Sequence, residues 1–183
     1  MQNIKAYVML VCASLFWAGN FMVGKYAFLT EIPPLSLVFY RWSLVWIILL
    51  PFTYKEIIKY KDTILNNLPL LFFLGLTSVG LFNSFTYLSL IHTQVINASL
   101  FNTAIPAIII LLCFIFKVER TNKFQILGLI ISVCGILAIV TKLKLDILLS
   151  FNFNRGDLIM IGGVLTWGVY STLLRKKNLL YRY

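Results

Sequence analysis

The sequence predicts an all-α integral membrane protein, a polytopic bundle of about six transmembrane helices. Three observations carry this expectation. The 183 residues are 60% hydrophobic and only 12% charged, about half the charge of an ordinary soluble domain at roughly 25%. The mean hydropathy is +0.90. The apolar residues fall into six runs of the length a bilayer demands, since about 30 Å of hydrocarbon takes about 20 residues at about 1.5 Å each.

The first run, Ala6 to Leu29, follows Lys5. It is longer than the 7–15-residue apolar core typical of signal peptides, and no small-x-small cleavage pattern follows it. Cys12 follows Val11, which a lipoprotein site would not have. An uncleaved helix is expected. Pro33-Pro34 opens the second run, Leu35 to Phe52. Within Thr53 to Asn67 the residues Tyr54, Ile57, Ile58 and Leu65 share one helical face among lysines, the pattern of a short helix lying on the membrane surface. Asn66-Asn67 and Pro69 introduce the third run, Leu68 to Ile91, and His92-Thr93-Gln94 separates it from the fourth, Val95 to Phe116. Lys117 to Arg120 then breaks the pattern, with Glu119 and Arg120 suited to a local ion pair or cap. In the fifth run, Phe124 to Thr141, Gly128, Ser132 and Gly135 recur at small-residue spacing, which predicts close packing against a neighbour. A linker over 142–156 follows, with Leu148, Leu149, Phe151 and Phe153 suited to the outer surface. Asp157 is placed to cap the sixth run, Leu158 to Leu174, and Arg155-Gly156-Asp157 reads as cap chemistry instead of an adhesion motif. Cys12, Cys113 and Cys134 sit inside apolar runs and are expected to be reduced packing residues.

The formal charge of +10 is a topology signal. With the N-terminus in the cytoplasm, eleven basic residues, including Lys5, Lys55, Lys117 and Arg175 to Lys177, fall on the inner side. Lys142, Lys144 and Arg155 alone fall outside, while Lys25 and Arg41 lie in helices. That is the positive-inside bias. It needs no nucleic-acid partner, and the C-terminus is expected in the cytoplasm too.

Polar groups in hydrocarbon are costly, so their spacing is informative. Ser14, Trp17, Asn20 and Gly24 share a face of the first helix; Tyr40 and Ser43 do so on the second. Asn83, Thr86 and Tyr87 do so on the third, Ser99, Asn102, Thr103 and Pro106 on the fourth, and Trp167, Tyr170 and Ser171 on the sixth. One reading is a central cavity for a small zwitterionic or aromatic solute. The other is hydrogen bonding between helices, worth about 0.6–2 kcal/mol each. Arg41 costs roughly 2.5–3.5 kcal/mol at a helix centre, so it faces a cavity, a carbonyl or the interface. It either binds a solute carboxylate or snorkels to headgroups. Lys25, nearer the outer end, is expected to snorkel. Pro106 is either a hinge with a freed carbonyl or a packing kink.

No histidine lies within the helices and no Gly-x-Ser motif is present, which excludes an intramembrane hydrolase; a metal or haem site fails for want of ligands, and no cofactor is expected. No acidic residue sits in a helix core, which disfavours a glutamate-centred proton relay.

Leu15-Phe16-Trp17-Ala18 aligns with Leu165-Thr166-Trp167-Gly168 at an offset of 150 residues, and Lys25 with Arg175. A five-helix repeat would enter its second copy from the opposite face, the inverted repeat of secondary transporters. Phe16 to Phe21 with Gly24-Lys25, then Ile32-Pro33-Pro34, Tyr40-Arg41-Trp42, Leu50-Pro51-Phe52, Ala98 to Pro106, Glu119-Arg120, Gly128, Gly135 and Gly156-Asp157 resemble, in order and spacing, EamA-type transporters of the drug/metabolite transporter superfamily. The resemblance implies two five-helix halves, of which residues 1–141 would be the first and 157–183 the start of the second. It implies a secondary transporter in the bacterial inner membrane that exports small organic metabolites such as amino acids by alternating access. The partners expected are the lipid bilayer, a small-molecule solute, and a second copy or a missing second half. The alternative is a truncated fragment with no activity of its own. The expected cavity residues are Trp17, Asn20, Tyr40, Arg41, Asn83, Tyr87, Asn102, Pro106, Trp167 and Tyr170.

Overall fold

The computed structural model describes residues 2–119, 122–140 and 154–180. The helices are α1 (Gln2–Leu29), α2 (Pro34–Lys59), α3 (Lys61–Asn66), α4 (Leu68–Gly75), α5 (Phe82–His92), α6 (Val95–Asn102), α7 (Ile105–Ile115), α8 (Lys123–Val140) and α9 (Arg155–Leu180). No strand occurs among the described residues. Five helical stretches are long and apolar enough to cross a bilayer: Ile4–Leu29, Pro34–Lys59, Leu68–His92, Val95–Ile115 and Arg155–Lys176. A shorter apolar stretch, Lys123–Gly135, lies in α8. The protein is an all-α, multi-pass membrane protein.

The boundaries follow local chemistry. Pro34 opens α2, where a missing N–H costs nothing and the fixed φ suits a first turn. α1 ends in a Schellman turn: Ile32 N–H donates to Ala27 O (2.9 Å) and Glu31 N–H to Phe28 O (3.1 Å), with Glu31 held at φ 61°. The α7 end repeats the device with Lys117 at φ 52°.

Four expectations need correction. α2 does not stop at Phe52; it runs through Pro51 to Lys59, because Thr53 to Lys59 continues with good helix formers, and only α3 remains as a separate surface helix. The third span is not uniform: a π-helical segment, Leu76–Leu81, joins α4 to α5. The fourth span is broken at Thr103 and Ala104, whose N–H groups bond three residues back, and Pro106 sits in the first turn of α7 instead of kinking a continuous helix. Asp157 is not the cap of α9. Asn154 is, its Oδ1 accepting from Gly156 N–H at 2.9 Å, because the helix begins three residues earlier than the apolar run. The expectation for Leu148, Leu149, Phe151 and Phe153 lies outside the described residues.

α5 is the centre of the bundle. It packs on α1, α2 and α9, and α9 also packs along α7, while α8 touches α7 and α6 at the periphery. The core joins Phe21, Val38, Phe82, Tyr87, Leu90, Phe101, Ile105, Met160 and Val164. Glycines set the closest approaches. A Cβ on Gly24 would stand 2.7 Å from the Tyr87 ring, one on Gly168 2.6 Å from Ile108, and one on Gly156 2.6 Å from Ser89 O and 2.7 Å from Thr93 N. The predicted close packing at Gly128 and Gly135 is not found: nothing lies within 4 Å of a Cβ at either. Those two sit on an outer helix whose flank has no partner there, whereas α9 presses onto α5 and α7.

The contrast gives a test. Gly156→Ala is expected to cost about 1–3 kcal/mol through overpacking against backbone, read as a lower melting temperature in detergent. Gly128→Ala, with free space, is expected to gain about 0.5–1 kcal/mol. Equal behaviour of the two variants would refute the packing described.

Candidate functional site

A cavity of about 750 Å³ opens beside α5, lined by Phe16, Trp17, Asn20, Arg41, Trp42, Val45, Ser78, Val79, Phe82, Asn83, Trp167 and Tyr170. At one end stands Arg41, carried by the second turn of α2. Its guanidinium donates to Asn20 Oδ1, to the Tyr87 hydroxyl and, at 3.1 Å, to Asn83 Oδ1. The Tyr87 hydroxyl in turn donates to Asn20 Oδ1 at 2.5 Å. The guanidinium carbon also lies 5.3 Å from the Trp42 ring centroid and 5.7 Å from that of Tyr87, within cation–π range. Three helices, α1, α2 and α5, thus meet on one charge, and the absence of a side chain at Gly24 lets the Tyr87 ring approach α1.

The π-helical segment fixes the orientation of Asn83. A π turn displaces the regular hydrogen-bond ladder by one residue. Just past it, Asn83 Nδ2 donates to two carbonyls of the segment, Val79 O at 2.9 Å and Ser78 O at 3.2 Å. With its amide nitrogen committed, the Asn83 oxygen faces Arg41. The hydroxyls of Thr77 and Ser78 bond back to Phe73 O and Leu74 O, satisfying themselves within the helix.

Aromatic rings make the opposite wall. Trp167 meets Trp17 edge-on at 6.0 Å, Phe82 at 4.7 Å and Tyr170 at 5.2 Å between centroids. Because Lys25 and Asp157 both reach Thr93 at one end of the bundle, and Trp17 and Trp167 meet further along, α1 and α9 run antiparallel.

Beyond Arg41, on the side away from Trp17, a buried layer closes the cavity, and past that layer a separate cleft of about 390 Å³ opens among Lys25, His92, Thr93, Gln94, Asn97 and Asn154. Phe21, Tyr87 and Leu90 are buried in the layer, and above them a polar cluster fastens the end of α5. Lys25 Nζ donates to Leu90 O at 2.6 Å and Thr93 O at 3.2 Å. Lys25 therefore does not snorkel; it neutralises the carbonyls exposed at a helix C-terminus, where a cation is favoured. From the other flank, Thr93 Oγ1 donates to the buried Asp157 Oδ1 at 2.7 Å, and Asn154 Nδ2 to His92 O at 2.6 Å. At the opposite end of α9, Arg175 bonds Glu119 at 2.8 Å, an exposed pair worth about 0–1 kcal/mol. Glu119 thus finds its partner on α9; Arg120 lies outside the described residues.

Of the residues singled out from sequence, Trp17, Asn20, Arg41, Asn83, Trp167 and Tyr170 line this cavity, and Tyr87 closes its end. Three lie elsewhere. Tyr40 is 70% exposed with its ring against Phe39. Asn102 ends α6 at the break, and Pro106 is exposed on the first turn of α7. The hydroxyls of Ser99 and Thr103 bond to carbonyls three residues back, which accounts for their spacing without a solute. Sequence reasoning passed over Phe16, Trp42, Val45, Ser78, Val79 and Phe82. The polar cluster Thr77-Ser78 with Gly80, in mid-span ahead of Asn83, was the available signal for Ser78.

Residues 4–141 match the model of the EamA-like transporter family. The chain is 28% identical over 179 residues to the uncharacterized transporter YyaM of Bacillus subtilis, covering 96% of this chain and 57% of that protein. It is 32% identical over 183 residues to an uncharacterized transporter of Archaeoglobus fulgidus, covering 98% of this chain and 61% of the relative. The chain thus spans about three fifths of the length of these two relatives. No solved structure matches it significantly.

The Lys25 cluster is testable apart from any solute. Lys25→Met removes the cation from two carbonyls and is expected to destabilise by about 1.5–3 kcal/mol. It should also speed maleimide labelling of a cysteine placed at Thr93. Unchanged melting and labelling would show that the fastening carries no energy.

Proposed function

Because the chain belongs to the EamA-like transporter family, we propose that it forms the solute-binding half of a secondary transporter that exports small organic metabolites, amino acids or related solutes among them, by alternating access. The observation that carries the proposal is Arg41, held by neutral side chains at the end of an aromatic-walled cavity. A charged side chain that deep in apolar helices is retained where it meets a cavity or a solute.

The cavity lies on the Trp17 side of Arg41, while the buried layer closes it toward Lys25. With the N-terminus in the cytoplasm, as the lysine distribution favours, the open side is cytoplasmic. That is the side from which an exporter loads. Release then requires the fastening of α5 by Lys25, Asp157 and Asn154 to part while the Trp17 end closes. Residues 1–141 form the five-helix first repeat, and 157–183 begin an inverted second one. The antiparallel packing of α1 on α9 suits that arrangement. A second copy of the chain or a second half completes the carrier in the bacterial inner membrane.

A second reading, an inactive fragment, rests on the chain spanning 57% and 61% of its two relatives. One experiment separates the two. Cells expressing the chain are challenged with toxic amino-acid analogues, beside cells expressing Arg41→Ala at equal membrane abundance. The transporter reading expects resistance to at least one analogue with the parent chain and none with Arg41→Ala. Equal sensitivity of expressing and non-expressing cells across the panel supports the fragment.

A further inference from the structure

The hydrogen bonds around Arg41 all run one way, and their direction defines the chemistry of a ligand. Asn83 Oδ1, Asn20 Oδ1 and the Tyr87 oxygen are each spent accepting from Arg41. Asn83 has committed its N–H groups to Ser78 O and Val79 O, and the Tyr87 proton goes to Asn20. Each of these oxygens is thus already turned toward the cation. What the guanidinium still offers the cavity is donors, its remaining N–H groups, beside the Asn20 amide.

The charge points the same way. Arg41 carries +1, and the acidic residues described, Glu31, Glu56, Asp62, Glu119 and Asp157, all lie at helix ends or in the segments between spans. Among the described residues no carboxylate pairs with Arg41, which leaves its charge open to a solute.

We infer that the solute is a monocarboxylate: its carboxylate docks on the Arg41 fork, with Asn20 as a supporting donor, and its apolar body lies against Trp17, Phe82 and Trp167. A guanidinium matches a carboxylate with two parallel N–H···O bonds. One cation balances one carboxylate, whereas a phosphate ester with about −1.5 to −2 charge would leave an excess buried in hydrocarbon. An ammonium group would set a second cation beside Arg41, so the carboxylate, not the amine, governs recognition. This rests on the cavity being the transport site, and the test keeps the two apart.

Binding is read by tryptophan fluorescence of the detergent-purified chain, with four probes sharing one ring: phenylalanine, 3-phenylpropanoate, 2-phenylethylamine and phenyl phosphate. The expectation is that phenylalanine and 3-phenylpropanoate bind alike, and that the amine and the phosphate bind about tenfold more weakly or worse. Arg41→Lys, which keeps the charge and loses the fork, should weaken 3-phenylpropanoate by about tenfold with the melting temperature held. If that variant does not fold, the four-probe ranking on the parent chain decides alone. Amine binding equal to that of the carboxylates, or tighter phosphate binding, overturns the inference. Carboxylate-selective binding without any export would leave it standing and sink the transport reading instead.

Discussion

A guanidinium placed among apolar helices must be solvated by the protein, and that requirement organises the centre of this bundle. Transfer of an unpaired charge into hydrocarbon is prohibitive, and α2 carries Arg41 with no acidic neighbour to offset it. The solution is dipolar. Two amide oxygens and a phenol surround the cation, drawn from α1 and α5, and each is oriented by a further bond of its own. Asn83 is held by the π turn and Asn20 by the Tyr87 proton. Even the backbone conforms: the π segment supplies two carbonyls as an anchor for Asn83, and Gly24 leaves room for the Tyr87 ring. Substituting a side chain at Gly24 would therefore act on a charge it never touches.

The same rule, that no polar group goes unpaired in lipid, explains the fastened end of the bundle. The third span stops at His92, which leaves the last carbonyls of α5 without helical partners. Lys25 takes two of them, Asn154 takes a third, and Thr93 turns its hydroxyl to Asp157. Asp157 lies in the first turn of α9, where an anion is favoured, and Lys25 at the end of α5, where a cation is. Gly156 permits the contact because its missing Cβ is the only space between α9 and the α5 backbone.

Much of this was legible in the sequence, and the reasons for success and failure are physical. Spans are set by the thickness of a bilayer and so by counting; their order came from the apolar runs, and among the described residues five of the six form helices long enough to cross, the run from Phe124 appearing as a shorter apolar stretch. Asn20, Asn83, Tyr87 and Trp167 were found because a polar or aromatic side chain in hydrocarbon needs a reason to be there. The failures are places where spacing on an ideal helix misleads. Asn102 and Pro106 fit a stripe only if the fourth span is continuous, and it breaks at Thr103. Tyr40 is adjacent to Arg41 in sequence, which on a helix turns it about 100° away, and it is exposed. Gly128 and Gly135 have the spacing of a packed face, yet spacing cannot say whether a neighbour is present. The π segment has no hydrophobic signature at all, since it alters the ladder and not the composition.

The two intramembrane cations show how one residue class serves two ends. Lys25 is bonded to main-chain carbonyls, which the end of α5 holds in place, so the contact parts only if α1 and α5 move relative to one another. Arg41 is bonded to side-chain oxygens, which can yield to a stronger acceptor by a rotation about a single bond. A lysine fits the first task because its compact ammonium sits in a ring of carbonyls, and an arginine fits the second because its fork has more donors than its neighbours occupy. Exchangeable partners are what a binding site needs and fixed ones what a closed end needs. The distribution of the two along α1 and α2 therefore places the cavity below Arg41 and the seal at Lys25, with Phe21, Tyr87 and Leu90 as the layer between.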